Sequence, residues 1–291
     1  MFEPFLKNRV IIDLYLKPVT PLHIGAQSEL FIKTIIRVKV NNKYTFIIPS
    51  ESIKGSLRNL ATIIARNMNF SSNEIMSIVQ NHKKDKHENY KPQNKNINEI
   101  LENIFTKEQI AELSEKDKNE YYASLKCPIC NLFGSRNISA KLKFFDAHPI
   151  MDEKIVTLSY KTFTSTSIDR DSGIAKEGAL HTTEFIEPSE KIRFKLKIIL
   201  NNIEQGSDTA NLLANLLQYI LEEGIIIGGL KSKGFGLLKI DEEKSSAELL
   251  NLTTEPKTTE EIKNNILKLA QKEGIEKYAL RGFIKWLKTK K

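Results

Sequence analysis

Two cysteines and two histidines are the residues of this sequence best suited to hold a metal ion. Cys127 and Cys130 are the only cysteines of the chain. The two residues between them let both thiolates reach one tetrahedral ion. In a reducing compartment, such a pair favours a metal site over a structural disulfide.

His82 and His87 lie in a polar stretch, residues 81–98, and four residues separate them. This gap is within the range of histidine pairs in zinc modules, so with the cysteines we expect one structural Zn²⁺. A bound ion would also explain how a stretch with few apolar side chains becomes ordered. A reduced thiol pair in a core, with two solvated histidines, is the alternative.

A glycine-rich loop at residues 228–236 is suited to phosphate binding. Its glycines let the backbone approach a ligand closely, and Lys231 and Lys233 add positive charge. The loop is neither a P-loop nor a dinucleotide fingerprint, because the predicted strand follows it instead of preceding it. A tight helix-to-strand turn with exposed lysines is the alternative.

A predicted helix that begins at Pro49 and Ser50 carries a second basic feature. Lys54 and Arg58 are four residues apart and therefore share one face. The free N–H groups and the dipole of a helix N-terminus also attract phosphate. An ordinary capped helix with a solvated basic face is the alternative.

The charge of the chain agrees with an anionic partner. The formal net charge is +8 over 291 residues, and an excess of Lys and Arg predicts a nucleic-acid partner; a Lys-rich surface on any soluble protein is the other interpretation. The sequence lacks a run of about eighteen apolar residues and a signal peptide. We therefore expect a cytoplasmic protein without a membrane partner.

Apolar periodicity predicts the elements that position these residues. Strands are predicted at residues 10–16, 141–145, 192–200 and 237–240, and amphipathic helices at 50–64 and 212–221. Their order, strand-helix-strand-strand-helix-strand, is that of ferredoxin-like folds, which RNA-recognition modules share. The predicted fold class is α+β with a modified ferredoxin-like (RRM-like) core.

The remaining segments set the expected domain boundaries. Insertions are predicted at about residues 67–140, which include the candidate metal ligands, and at about 150–190, which are rich in Ser, Thr and Asp. Residues 1–240 then form one domain. Residues 241–291 are expected to form a polar linker, up to residue 258, and a helical C-terminal tail.

Five motifs together resemble the RAMP (repeat-associated mysterious protein) superfamily. They are Pro-Leu-His-Ile-Gly at 21–25, Ile-Pro-x-x-Ser-x-Lys-Gly-x-x-Arg at 48–58, Cys-Pro-Ile-Cys-Asn-Leu-Phe-Gly-Ser at 127–135, the segment 167–186, and Gly-Gly-x-x-x-x-Gly-x-Gly at 228–236. The resemblance covers about residues 9–240. The motifs at 127–135 and 167–186 are similar to those of the backbone subunits of type III CRISPR effector complexes.

The resemblance implies a guide RNA-binding subunit with a zinc-binding lid insertion and a thumb hairpin, residues 164–184, that wedges between bases. Its partners would be CRISPR RNA, complementary target RNA, neighbouring backbone subunits and other effector subunits. The residues that the resemblance assigns to RNA contact are His23, Ser52, Lys54, Arg58, Arg136, Ile168, Arg170, Gly229, Lys231, Lys233 and Gly234. Ile174 is a second apolar wedge candidate.

The resemblance also bears on catalysis. Cutting members of the group use an aspartate whose position here falls near Lys33 or Thr34, and neither residue can act as a base or hold a metal. We therefore expect a non-catalytic subunit. Glu29 and Asp169 are the weak candidates for a displaced acid in a target-RNA endoribonuclease.

Two further alternatives stay open. One is a metal-independent guide-processing endoribonuclease, for which only His23 offers a starting residue. The other is a zinc-stabilised nucleic-acid-binding regulator.

Overall fold

The structure is a computed structural model, and it describes residues 6–26, 32–40, 42–87, 90–92, 96–102, 104–169, 171–175, 180–252 and 258–289. Two residues named above, Glu29 and Arg170, lie outside these ranges.

The described residues form a mixed α+β fold built on an antiparallel sheet. The strands are β1 (Asn8–Pro18), β2 (Ile32–Lys33), β3 (Arg37–Val40), β4 (Lys43–Phe46), β5 (His82–Lys83), β6 (Lys86–His87), β7 (Leu142–Phe144), β8 (His148–Met151), β9 (Lys154–Ile155), β10 (Lys161–Ser165), β11 (His181–Phe185), β12 (Arg193–Asn201), β13 (Ile225–Ile226), β14 (Leu237–Ile240), β15 (Ser246–Asn251) and β16 (Glu276–Ala279). The helices are α1 (Ser50–Arg66), α2 (Asn73–Gln80), α3 (Ile97–Leu101), α4 (Lys107–Glu112), α5 (Glu115–Lys126), α6 (Pro128–Phe133), α7 (Asp208–Glu222), α8 (Thr259–Gln271) and α9 (Leu280–Lys288), with a 3₁₀ turn at Lys231–Lys233. The α+β class predicted from the sequence is confirmed.

β1 is the central strand of the main sheet. One edge pairs with β12 from Arg9 to Leu16, and β12 in turn pairs with β7 and β8. The other edge pairs with β15 in its first half and with β14 in its second half. All these pairings are antiparallel, and β13 extends the sheet beyond β14.

One face of the sheet carries the core. Alternate side chains of β1, among them Ile12 and Leu14, are buried, as period-2 alternation predicts. The apolar stripes of α1 and α7 belong to the same buried cluster. α1 therefore lies fixed on the sheet, with its basic residues Lys54 and Arg58 only partly buried.

The C-terminal region differs from the expected linker and tail. Ser246–Asn251 is a strand of the main sheet with Ala247 and Leu249 buried. The segment looked polar because only alternate residues of a half-buried strand need be apolar. The last helix, α9, packs on α7, and Phe283 and Leu287 are fully buried.

Among the described residues, no helix is long and apolar enough to span a membrane.

Candidate metal centre and nucleic-acid interface

Two short elements bring the four candidate metal ligands together. His82 and His87 are paired across the β5–β6 hairpin. Cys127 caps the N-terminus of α6, and Cys130 lies in its first turn. All four side chains are buried, and their potential ligand atoms all lie within 4.8 Å of one another. The cluster could hold a metal ion.

The distances within the cluster match a tetrahedral site. His82 Nδ1 lies 3.3 Å from His87 Nε2 and 3.7 and 3.6 Å from the sulfurs of Cys127 and Cys130. With usual zinc bond lengths, the edges of a tetrahedron are about 3.3 Å between nitrogens and about 3.6 Å between nitrogen and sulfur. The residues therefore fit one zinc-sized ion.

Glu120 on α5 supports the cluster from outside. Its carboxylate lies 3.2 Å from His87 Nδ1 and also accepts the His87 backbone N–H. This contact leaves His87 Nε2 to face the other ligands, an arrangement typical of metal-bound histidines. Burial lowers the pKa of His87, but its hydrogen bonds with Cys127 and Glu120 outweigh burial and raise that pKa to about 9.

The two thiols differ in acidity. Burial opposes ionisation of Cys127, but hydrogen bonds from Cys130 and both histidines lower the pKa of the Cys127 thiol well below its usual range. The hydrogen bond to Cys127, together with burial, raises the pKa of Cys130. One thiolate is thus favoured without metal, and a bound cation would stabilise the second.

A basic cleft begins on α1. Lys54 and Arg58 line a cavity of about 570 Å³ together with Asp85 and residues 133–140, so its cations outnumber its single carboxylate. Arg58 Nη2 donates to the carbonyl of Gly134 at 3.0 Å, so Arg58 also ties α1 to the segment after the cysteines. Ser52 is half-buried and does not line this cavity.

A second cavity, of about 1,040 Å³, adjoins the first and borders the metal cluster through His87 and Glu120. The two cavities share Arg136 and Asn137. Lys86, Lys91 and Lys116 also line the second cavity, beside Asp117. The sequence interpretation missed these three lysines, because they are scattered through a Lys-rich insertion without distinctive spacing.

The glycine-rich loop packs against the turn after β1. Gly228 has φ +94°, and a Cβ there would lie 2.4 Å from the His23 carbonyl oxygen. The Gly229 N–H donates to that same oxygen at 2.8 Å. The His23 ring is buried, with Nδ1 2.8 Å from the backbone oxygen of Glu184. His23 therefore joins elements and does not face solvent.

The exposed part of the loop is the 3₁₀ turn. Lys231, Lys233 and Gly234 are all exposed. Gly234 has φ +82° with open space around its Cα. The following residue, Phe235, contacts Phe163 and Phe185 with ring centroids 5.8 and 5.9 Å apart. This aromatic cluster, which the sequence did not indicate, anchors the loop to β10 and β11.

β10 and β11 form the base of the expected thumb hairpin. Near its tip, Ile168 and Ile174 are 66% and 68% exposed. Asp169 Oδ1 accepts hydrogen bonds from the backbone N–H groups of Asp171 and Ser172, both at 3.0 Å. These bonds lower the pKa of Asp169, and they hold its Oδ1 in the turn.

Lys33 lies beside the hairpin. It is an exposed residue of β2, which pairs in parallel with β11 so that Lys33 is opposite Thr183. Lys33, one of the two residues predicted near the position of that aspartate, thus lies at the base of the hairpin.

A family model for the RAMP superfamily matches residues 15–239. The chain belongs to the RAMP superfamily. No curated protein matches it. Membership indicates a CRISPR-associated, RNA-binding function. The match begins in β1 and ends in β14, so the basic cleft, the metal cluster, the hairpin and the glycine-rich loop all lie within the RAMP region.

Proposed function

We propose that this RAMP protein is a guide RNA-binding backbone subunit of a type III CRISPR interference complex that targets foreign RNA. The observation that carries the proposal is the basic cleft, in which Lys54, Arg58 and Arg136 meet and from which a second lysine-lined cavity continues. Closely spaced cations along a groove suit a single-stranded RNA backbone.

The proposed core is ferredoxin-like, with the metal-binding insertion and the hairpin added to it. The strand order β14-β1-β12-β7, with α1 and α7 in the order that the sequence predicts, supports this assignment. We assign neighbouring backbone subunits and other effector subunits as partners, and a cytoplasmic location.

The metal of the cluster is proposed to be Zn²⁺ in a structural role. Four protein ligands fill a tetrahedral site and leave no position for water or substrate, as in structural zinc sites. The ion would connect the β5–β6 hairpin to α6, and thereby hold one wall of the basic cleft.

The subunit is proposed not to cut RNA. Neither Lys33 nor Thr34, the two residues near the expected position, can serve as a general base or hold a metal there. Asp169 Oδ1 accepts hydrogen bonds within its own turn, which fixes the direction of that carboxylate. The buried ring of His23 does not favour the guide-processing alternative either.

The decisive experiment measures binding of single-stranded CRISPR RNA at several salt concentrations. The test variant replaces Lys54, Arg136, Lys231 and Lys233 with Ala; Arg58 is left in place because it contacts Gly134. The matched control removes four exposed lysines that line neither cavity: Lys107, Lys154, Lys263 and Lys288.

We expect the test variant to bind much more weakly and its log–log salt slope to flatten by about 0.7 for each lost phosphate contact. The control variant should lose little affinity, although it carries the same net charge. Equal weakening of both variants would mean that charge alone attracts RNA, and the assignment of the cleft would fail.

A further inference from the structure

A separate cavity lies between the β3–β4 hairpin and residues 157–160, which lead into β10. Its volume is about 370 Å³, within the range of roughly 300–1,000 Å³ for small-molecule sites. The Thr45 hydroxyl donates to the Val156 carbonyl at 2.9 Å and holds the two walls together. The cavity is thus part of the folded frame.

Two tyrosines stand at this cavity, one on each wall. Tyr44 is 65% exposed and Tyr160 is 48% exposed. An exposed aromatic ring lacks the stabilisation that burial would give it. Two such rings at one cavity indicate a ligand with a flat or apolar face that could cover them.

Arg37 lies between them with unused hydrogen-bonding capacity. Its guanidinium carbon is 4.0 Å from the centroid of the Tyr160 ring, and Nη2 forms an ion pair with Glu184. Its Nε is buried and has no hydrogen-bond partner among the described residues. A buried donor without an acceptor is costly, and an acceptor on a ligand would satisfy it.

The cavity is connected to the RNA-binding elements. The carboxylate of Glu184 accepts the Ile35 N–H at 3.0 Å, and its backbone oxygen contacts His23, which in turn holds Gly229. Lys39 and Lys43 are exposed on the same hairpin as Tyr44. The surroundings are therefore basic.

We propose that this cavity binds one unpaired RNA nucleobase, stacked against the tyrosine rings and the Arg37 guanidinium. This inference rests on the proposed function and adds a base-binding site to its phosphate contacts. Every base has a flat π-face that stacks on aromatic rings or on guanidinium planes, and base and ribose offer acceptors for Arg37 Nε. An uncharged proline-rich peptide also suits aromatic grooves, but the flanking lysines and the unpaired cationic donor favour a phosphate-linked base.

The test uses the full chain and a single-stranded RNA that contains 2-aminopurine, whose fluorescence is quenched by stacking. Tyr44→Ala/Tyr160→Ala is compared with Tyr44→Phe/Tyr160→Phe and with Tyr219→Ala. Tyr219 is 43% exposed on α7 and does not line this cavity. Arg37 is not changed, because its ion pair with Glu184 belongs to the fold.

We expect the alanine pair to bind RNA about tenfold more weakly, from the loss of one stacked base, and to lose the quench. The phenylalanine pair and Tyr219→Ala should retain both. If the alanine pair binds RNA with wild-type affinity and quenches as the wild type does, the base site is overturned. RNA binding and the proposed function are unaffected by that result. A wild-type chain that binds no RNA would overturn both the base site and the proposed function. A peptide is the other outcome. If the wild-type chain binds fluorescent decaproline, and the alanine pair loses that binding but keeps its RNA affinity, the cavity is a peptide site and the inference is overturned.

Discussion

At the residue scale, the buried imidazoles and thiols of the metal cluster need partners that the protein alone supplies incompletely. The ligand atoms of His82 and His87 face the two sulfurs, and only one of the two thiols is favoured as a thiolate. A divalent cation would neutralise two thiolates and fix both rings. The stability of the insertion is therefore expected to depend on metal.

Cys127→Ser/Cys130→Ser is expected to abolish retention of one zinc per chain, measured by elemental analysis of the purified protein. Loss of a structural metal is among the few changes that cost more than about 4 kcal/mol, so residues 67–135 should become sensitive to limited proteolysis. Removal of metal from the wild-type chain by a chelator should give the same digestion pattern. A metal-free wild-type preparation with full protease resistance would contradict this prediction.

Glu120→Ala tests the outer contact of the cluster. Loss of the carboxylate that orients His87 should weaken zinc affinity by roughly 10- to 100-fold, measured by competition with a chromophoric chelator. Glu115→Ala is the matched control, because Glu115 lies on the same helix but, within the described part of the chain, forms its ion pair with Lys118 at the surface. Equal affinities of the two variants would show that Glu120 does not position His87.

At the element scale, the glycine-rich loop combines packing glycines with an exposed turn. Gly228 and Gly236 have positive φ and approach backbone oxygens of His23 and Ile227. Gly234 has positive φ but faces open space. Gly228 and the Gly236 N–H, which donates to the Pro21 carbonyl at 2.8 Å, therefore fix the loop on the turn after β1. Gly234 leaves the loop surface accessible.

Gly228→Ala is expected to destabilise the protein by about 2 kcal/mol or more, because a Cβ meets both an unfavourable φ and the His23 carbonyl. Gly234→Ala should cost less, since only the φ penalty applies. Gly55→Ala is the control: its position in α1 has open space around it, and alanine there should stabilise the helix by roughly 0.5–1 kcal/mol. Urea unfolding measures the stability of all three variants. Equal urea midpoints for Gly228→Ala and Gly55→Ala would refute the packing argument.

The sequence predicted elements wherever a local pattern suffices. β1, β12 and α7 follow from apolar periodicity, and the cysteine pair follows from its spacing. Glu120 could not be predicted, because α5 is rich in charged side chains and nothing local distinguishes the one that meets His87. β15 and the Arg37–Tyr160 contact depend on segments far apart in the chain, so only the tertiary structure reveals them.

At the scale of the whole molecule, the proposal concerns a subunit that holds RNA while its neighbours do the chemistry. In a complex assembled with this chain, complementary RNA and Mg²⁺ or Mn²⁺, we expect no cuts attributable to this subunit. Glu29→Ala and Asp169→Asn should leave the product pattern unchanged. The asparagine keeps the Oδ1 acceptor of the turn but removes the charge, so cuts lost in Asp169→Asn would assign catalysis to that carboxylate.

The pairing of β1 with β15 sets an order of events during synthesis. The first half of β1 is synthesised more than 230 residues before the strand that covers that edge. At about 5–20 residues per second, the interval is roughly 10–50 seconds. Throughout that time the central strand has an unpaired edge that can join another chain. Nascent copies on one messenger are therefore expected to need a chaperone or an early partner until the last strand and α9 are complete.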